Sequence, residues 1–144
     1  MTTVNISSSQ TALRTPRKKI LAMVQFVLEA EGKRFDEVDI AIVTSRRIAA
    51  LNRRYLKHAG ATDVLSFSLF DPGSGPIAQI IVCADLAVRE ARARGIGPQR
   101  ELMLYIVHGL LHVMGYDDTT PQAAEKMYAR QEQLLEAFLI SQRR

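Results

Sequence analysis

Cysteine is nearly absent from the 144 residues: Cys83 stands alone. An intramolecular disulfide is impossible, and a thiolate-rich zinc framework is excluded with it. Any metal would have to be held by His, Asp or Glu. Long apolar runs are missing too, since none approaches the roughly 18 residues of a membrane span. The opening stretch MTTVNISSSQ has neither the charged start nor the apolar run of a signal peptide. A cytoplasmic location with no membrane contact is the expectation. Glycine and proline number 8 and 5, and charged residues make up 24%. These are ordinary globular values, which exclude collagen-like and long disordered chains. Internal repeats and low-complexity tracts are lacking. One domain over residues 1–144 is expected, large enough to bury ~70% of the surface its unfolded chain exposes.

Acidic residues are scarce in the first part of the chain. Residues 1–60 hold 11 Lys/Arg against 5 Asp/Glu, whereas residues 61–144 hold 8 against 10. The asymmetry suggests a polyanion facing one side of the molecule. Of the 19 basic residues 14 are Arg, whose planar fork suits phosphate. A general arginine bias with no function attached would give the same count.

Along the chain, Val4 to Ser8 alternates weakly as a first strand, and Thr15 with Pro16 predicts a capped helix that Gly32 closes. Val38 to Thr44 is apolar on both sides, as in a strand covered on both faces. Ser45 is the expected cap of a second helix reaching about Lys57. On its wheel Ile48, Leu51 and Tyr55 share one face, while Arg46, Arg47, Arg53, Arg54 and Lys57 fill an arc of about 120° opposite. That basic face suits an RNA backbone if a site lies nearby; otherwise it is a solvated helix face. Thr62 to Phe70 and Ile77 to Cys83 read as an antiparallel pair around the turn formers DPGSGP. Asp85, Pro98 and Thr120–Pro121 open three further helices. The expected fold is therefore α/β: a small mixed, mostly parallel four-stranded sheet with one antiparallel hairpin strand, covered by about five helices.

The chemistry concentrates in ELMLYIVHGLLHVMGYDD, residues 101–118. From Leu102 to Met114 nearly every residue is apolar, so this helix should be buried on most sides, yet it carries His108 and His112. A spacing of four puts the two imidazoles about 40° apart on one face, the geometry for sharing one metal ion. Two hydrogen-bonded core histidines are the structural alternative. Gly115 fits the helix terminus, after which a carboxylate of GYDD can return beside the imidazoles. His108, His112 and Asp118 would then leave a fourth position open, as in catalytic zinc sites, with Gly109 leaving room beside the ion. A zinc-protease reading is weakened because Gly109 occupies the place of the usual general-base Glu.

HGLLHVMGYDD resembles the signature HGxLHLxGYDH of the YbeY family of rRNA maturation endoribonucleases. LNRRYLKHAGATDVLSF is similar to that family's second block, and Met127 and Gln131 match its M-x-x-x-Q. The resemblance implies a zinc-dependent endoribonuclease cutting single strands, acting in 3′-end maturation of small-subunit rRNA and in ribosome quality control. It also implies one Zn2+ ion on His108, His112 and position 118, with rRNA and the small ribosomal subunit as partners.

Three departures stand out. Asp118 replaces the usual third His, which lowers the charge of the site and should leave a bound water less acidic. Leu56 replaces a family Arg, leaving Arg53, Arg54 or Lys57 to neutralise the scissile phosphate. Ala78–Gln79 replaces a Gly-Asp at the fourth strand. The leading expectation is an endoribonuclease in which zinc polarises a phosphoryl oxygen or activates a water while the basic helix holds the RNA. Asp117 is expected to cap the turn or support a ligand. A metal-stabilised rRNA-binding assembly factor that does not cut, and a metal-dependent hydrolase of another substrate, are the alternatives.

Overall fold

The computed structural model describes residues 2–56, 62–70, 73 and 75–143, with the backbone alone at 55 and 56. The chain runs through β1 (Thr3–Ser8), α1 (Arg17–Glu31), β2 (Glu37–Val43) and α2 (Ser45–Leu51), the last continued by a wider π-helical turn over Asn52–Leu56. β3 (Val64–Phe70), β4 (Pro76–Cys83), α3 (Ala84–Arg94), α4 (Pro98–Val113) and α5 (Pro121–Ser141) follow. The sheet order is β1-β2-β4-β3, parallel except for the β3–β4 hairpin. This is the small mixed α/β architecture expected from the alternation of strand and helix patterns.

One sheet face carries the main core. Val38, Ile40 and Ile42 of β2 and Ala78, Ile80 and Val82 of β4 are buried in one cluster with Ile20, Met23 and Val27 of α1 and Ile106 and Leu110 of α4. α4 is buried along nearly its whole length, as its apolar run requires. The other sheet face is covered mainly at one end, by a small cluster of Val43, Ile48, Leu65 and Cys83 under α2. β2 is therefore not covered on both faces as its composition suggested. The register explains this: Asn5, Asp39 and Gln79 lie side by side across three strands. Asn5 Nδ2 donates to Glu37 Oε1 and Asp39 Oδ1, both at 2.9 Å, so this polar row needs no helix above it.

Helix starts differ from expectation wherever a competing partner wins. Thr44, not Ser45, caps α2 by accepting from the Arg47 amide at 3.2 Å. Ser45 instead donates its amide and hydroxyl to Asp85 Oδ2, at 2.6 and 2.7 Å. Asp85 thus ties α3 to α2 and leaves α3 without a side-chain cap. α1 likewise begins after Pro16 with no side-chain cap; the Thr15 side chain turns to β1 instead, its hydroxyl donating to Ser8 Oγ at 3.0 Å. α4 and α5 start at Pro98 and after Thr120 as read, with Thr120 Oγ1 accepting from the Ala123 amide at 3.0 Å.

α5 is fastened to α1 at two points. Phe138 meets Phe26 edge to face, with centroids 5.7 Å apart. Arg130 grips Glu31 Oε2 with Nη2 at 2.7 Å and Nε at 2.8 Å. Burial alone would raise the Glu31 carboxyl, but hydrogen bonds with Tyr116 and Arg130 outweigh it and hold Glu31 below its ordinary value. No helix among the described residues is long and apolar enough to cross a membrane.

Gly109 lets α4 lie close to the sheet. A Cβ there would meet Ile80 Cγ2 at 2.9 Å and Val64 Cγ2 at 3.2 Å. Gly109→Ala should therefore cost about 1–3 kcal/mol of overpacking, offset by up to about 1 kcal/mol of helix propensity. Urea unfolding should show a net loss of about 1–2 kcal/mol; an equally stable or stabilised variant would mean that Ile80 and Val64 yield freely.

Candidate active site

The face of α4 that carries the polar side chains is set by spacing. Glu101, Tyr105, His108 and His112 recur at intervals of four, three and four, so they line one stripe of an otherwise apolar helix. α5 supplies the facing partners: Tyr128 and Gln131, three residues apart, share one side of that helix. His108 Nδ1 lies 2.8 Å from Gln131 Oε1, and the rings of His108 and Tyr128 stack at 6.1 Å and 27°. An amide carbonyl only accepts, so Nδ1 is the donor and, in the neutral ring, Nε2 keeps its lone pair.

A cavity of about 280 Å3 opens beside these residues. Its walls come from Glu101, Tyr105 and His108 on α4, Tyr128 and Gln131 on α5, Asp63 ahead of β3, Arg94 at the end of α3 and Asp118 beyond α4. Gly115, at φ 109°, turns the chain back after α4 and brings Asp118 to this wall. Carboxylates outnumber guanidinium here. Burial first, and the charge of neighbouring Glu101 second, push the Tyr105 hydroxyl well above its ordinary range, so it stays protonated. Hollows of about 380 and 410 Å3 flank Tyr116 and Lys126; no histidine is found among their described walls.

Of the residues singled out in the sequence, the structure brings His108 and Asp118 to one cavity. His112 is exposed on the last turn of α4, not enclosed as the apolar run suggested: Leu110 and Leu111 take the buried sides of that turn and His112 the open one. Among the described residues no group of three or more His, Cys, Asp or Glu stands arranged to hold a metal ion. Gly109 faces the sheet rather than the cavity, so it gives no room beside an ion. Arg53 and Arg54 are exposed on the π-helical turn, outside the cavity walls. Lys57 lies outside the described residues, as does His58. Asp117 caps its turn, accepting from the Thr119 amide at 3.2 Å and hydroxyl at 2.9 Å. Cys83 is buried, and burial pushes its thiol up, away from nucleophilic use.

Glu101, Arg94 and Asp63 escaped the sequence reading. Glu101 was within reach, since seven residues before His108 is two helical turns, about 20° off the same line. Arg94 and Asp63 join the cavity only through tertiary structure.

Fold and cavity together define a small α/β protein with a polar site built on one histidine of a buried helix. The chain belongs to the Endoribonuclease YbeY family, whose profile matches residues 3–139. It is 38% identical over 137 residues to Endoribonuclease YbeY of Anaeromyxobacter sp. (strain Fw109-5), covering 94% of this chain and 71% of that protein. The Bacillus subtilis (strain 168) Endoribonuclease YbeY is 34% identical over 133 residues, covering 84% of this chain and 85% of that one. A solution structure of a Thermotoga maritima protein shares the fold, with a TM-score of 0.67 at 23% identity over 97% of this chain and 91% of that one.

Proposed function

We propose that the protein is a zinc-dependent single-strand endoribonuclease acting in small-subunit rRNA 3′-end maturation and ribosome quality control. Membership of the endoribonuclease family supports the reaction class. The observation that carries the site is the His108–Gln131 contact of 2.8 Å. Metal-ligating histidines almost always give their second nitrogen to such an acceptor, which fixes the tautomer and the ring.

The donor chemistry fits one divalent ion, with His108, His112 and Asp118 as the residues that would hold it. When bound, zinc would supply Lewis-acid stabilisation of the charge that develops at the phosphoryl group. The chain's own contributions are separate. Gln131 keeps His108 Nε2 directed away from its helix partner, and Tyr105 remains a hydrogen-bond donor throughout the neutral range. Tyr128, half exposed and stacked on His108, offers a platform for an unpaired base. Arg53, Arg54 and Lys57 would neutralise the RNA backbone leading to the site.

A second reading is favoured by the lack of a preformed three-donor cluster among the described residues: an rRNA-binding assembly factor that does not cut. Metal analysis of the purified protein, with RNA cleavage by wild type and His112→Ala prepared identically, separates the two. Bound zinc and cleavage lost in His112→Ala support the nuclease; RNA binding without cleavage in both supports the assembly factor. Equal cleavage by both proteins would overturn this metal site.

Gln131→Leu should lower cleavage about ten- to a hundredfold, the usual effect of removing the partner of a ligating histidine. Single-turnover rates at saturating zinc check this, and a rate within twofold of wild type would show that Gln131 does not orient His108.

A further inference from the structure

We infer that Arg94 binds a phosphate of the RNA in the cavity, and that Glu101 is the positioning residue that aims it. The inference rests on the nuclease reading of that cavity.

The side chain of Glu101 is 0% exposed. A carboxylate that far from water is costly unless it is paired. Its pairing group is Arg94, with Nη1 at 3.4 Å from Oε1 and Nη2 at 3.2 Å from Oε2. The second contact lacks hydrogen-bond alignment, so Oε2 keeps unused acceptor capacity in the core. The two members differ sharply in surroundings: Arg94 is 54% exposed. The pair thus joins a fixed, buried anion to a cation that faces solvent.

Chain geometry explains how they meet. α3 ends at Arg94, Gly95 takes the left-handed conformation at φ 69°, and α4 begins at Pro98. This short reversal sets the last side chain of α3 beside the first turn of α4. With Nη1 alone hydrogen-bonded to Glu101 and Nη2 held as an ion pair, Nε–H and the remaining Nη hydrogens are free to donate. Those donors sit on the same cavity wall as His108 and Asp118. A free surface arginine has many rotamers to lose on binding; one already pinned to the cavity floor has fewer. A planar guanidinium matches the two free oxygens of a phosphodiester. Asp63, Glu101 and Asp118 would otherwise make this wall repel RNA, and Arg94 supplies the cation on it among the described residues.

The test uses a labelled single-stranded oligoribonucleotide and four proteins: wild type, Arg94→Lys, Glu101→Gln and the double variant Arg94→Ala/Glu101→Gln. The double variant avoids leaving a buried carboxylate unpaired, and its melting curve verifies folding. Its kcat/KM should fall about ten- to a hundredfold, the loss expected for a charge-assisted bidentate contact. Arg94→Lys, which keeps the charge and loses the fork, should lie between it and wild type. In EDTA, where cleavage stops, the slope of log binding constant against log salt should become shallower by about 0.7 in the double variant, one phosphate contact on a single strand. Glu101→Gln alone should cut more slowly at an unchanged salt slope, because the cation is present but no longer aimed. A folded double variant with wild-type kcat/KM and salt slope would overturn the inference. Wild type that binds RNA and never cuts it would defeat the nuclease reading instead, and the salt slope would still decide whether Arg94 meets a phosphate.

Discussion

RNA cleavage should fall by about a thousandfold or more when His108 is replaced by alanine, since several kcal/mol of transition-state stabilisation disappear with the metal it would hold. The same substitution should leave the fold intact. His108 is only half-buried and lies on the cavity side of α4, away from the Gly109 contact with the sheet. Removing the ring takes one partner from Gln131, which is 6% exposed and sits next to an open cavity that water can enter. Bound zinc should drop in parallel, and added chelator should reduce wild type to the variant's rate. Single-turnover cleavage, zinc content and thermal melting of both proteins from one preparation provide the check. Undiminished cleavage in His108→Ala would locate the chemistry elsewhere, because a contaminating nuclease cuts equally in both samples.

The β3–β4 hairpin was legible in the sequence because the first strand alternates with period two, the second is apolar, and the segment between them is dense in turn formers. The ends of α4 and the start of α5 were legible because Pro98, Gly115, Thr120 and Pro121 act through their own backbone and side chains, with no distant partner needed. Ser45 and Asp85 failed as caps for the opposite reason. Forty residues apart in the chain, they meet in space and satisfy each other, so neither is left for its own helix. β2 failed similarly: its apolar composition shows no open face, yet Asp39 falls into a row with Asn5 and Gln79 that only strand register creates.

The site divides along the same line. His108 and its spacing to His112 could be read from one helix, and Gln131 could be noticed as a match in another. The 2.8 Å contact that gives Gln131 its role depends on how α5 packs on α4. Arg94 and Glu101 are separated by a connection too irregular for periodicity to describe. The exposure of His112, next to the buried Leu110 and Leu111, reflects which side of the last turn of α4 is left open, a property of neighbours rather than of the helix.

Phe138→Ala is expected to be among the most destabilising single truncations in the core, at about 3–5 kcal/mol. Phe138 is 1% exposed and counts among the largest fully buried side chains. Its loss opens a cavity and removes the edge-to-face contact with Phe26, a pairing worth about 0.5–1.5 kcal/mol beyond area burial. Against a total stability of about 5–15 kcal/mol for a domain, this is a large fraction. The urea midpoint should fall by about 1–3 M and the melting temperature by roughly 10 °C. The consequence for activity differs from that of Gln131→Leu, although both residues are on α5. Phe138 is seven residues from Gln131 on the same helix and is not among the residues that line the cavity, so cleavage in the cold should keep nearly its wild-type rate. On warming, activity should collapse at the lowered melting temperature, whereas Gln131→Leu should be slow at every temperature. If Phe138→Ala shifted the urea midpoint by less than about 0.5 M, α5 would not belong to the cooperative core, and its hold on His108 would have to come from the Arg130–Glu31 pair.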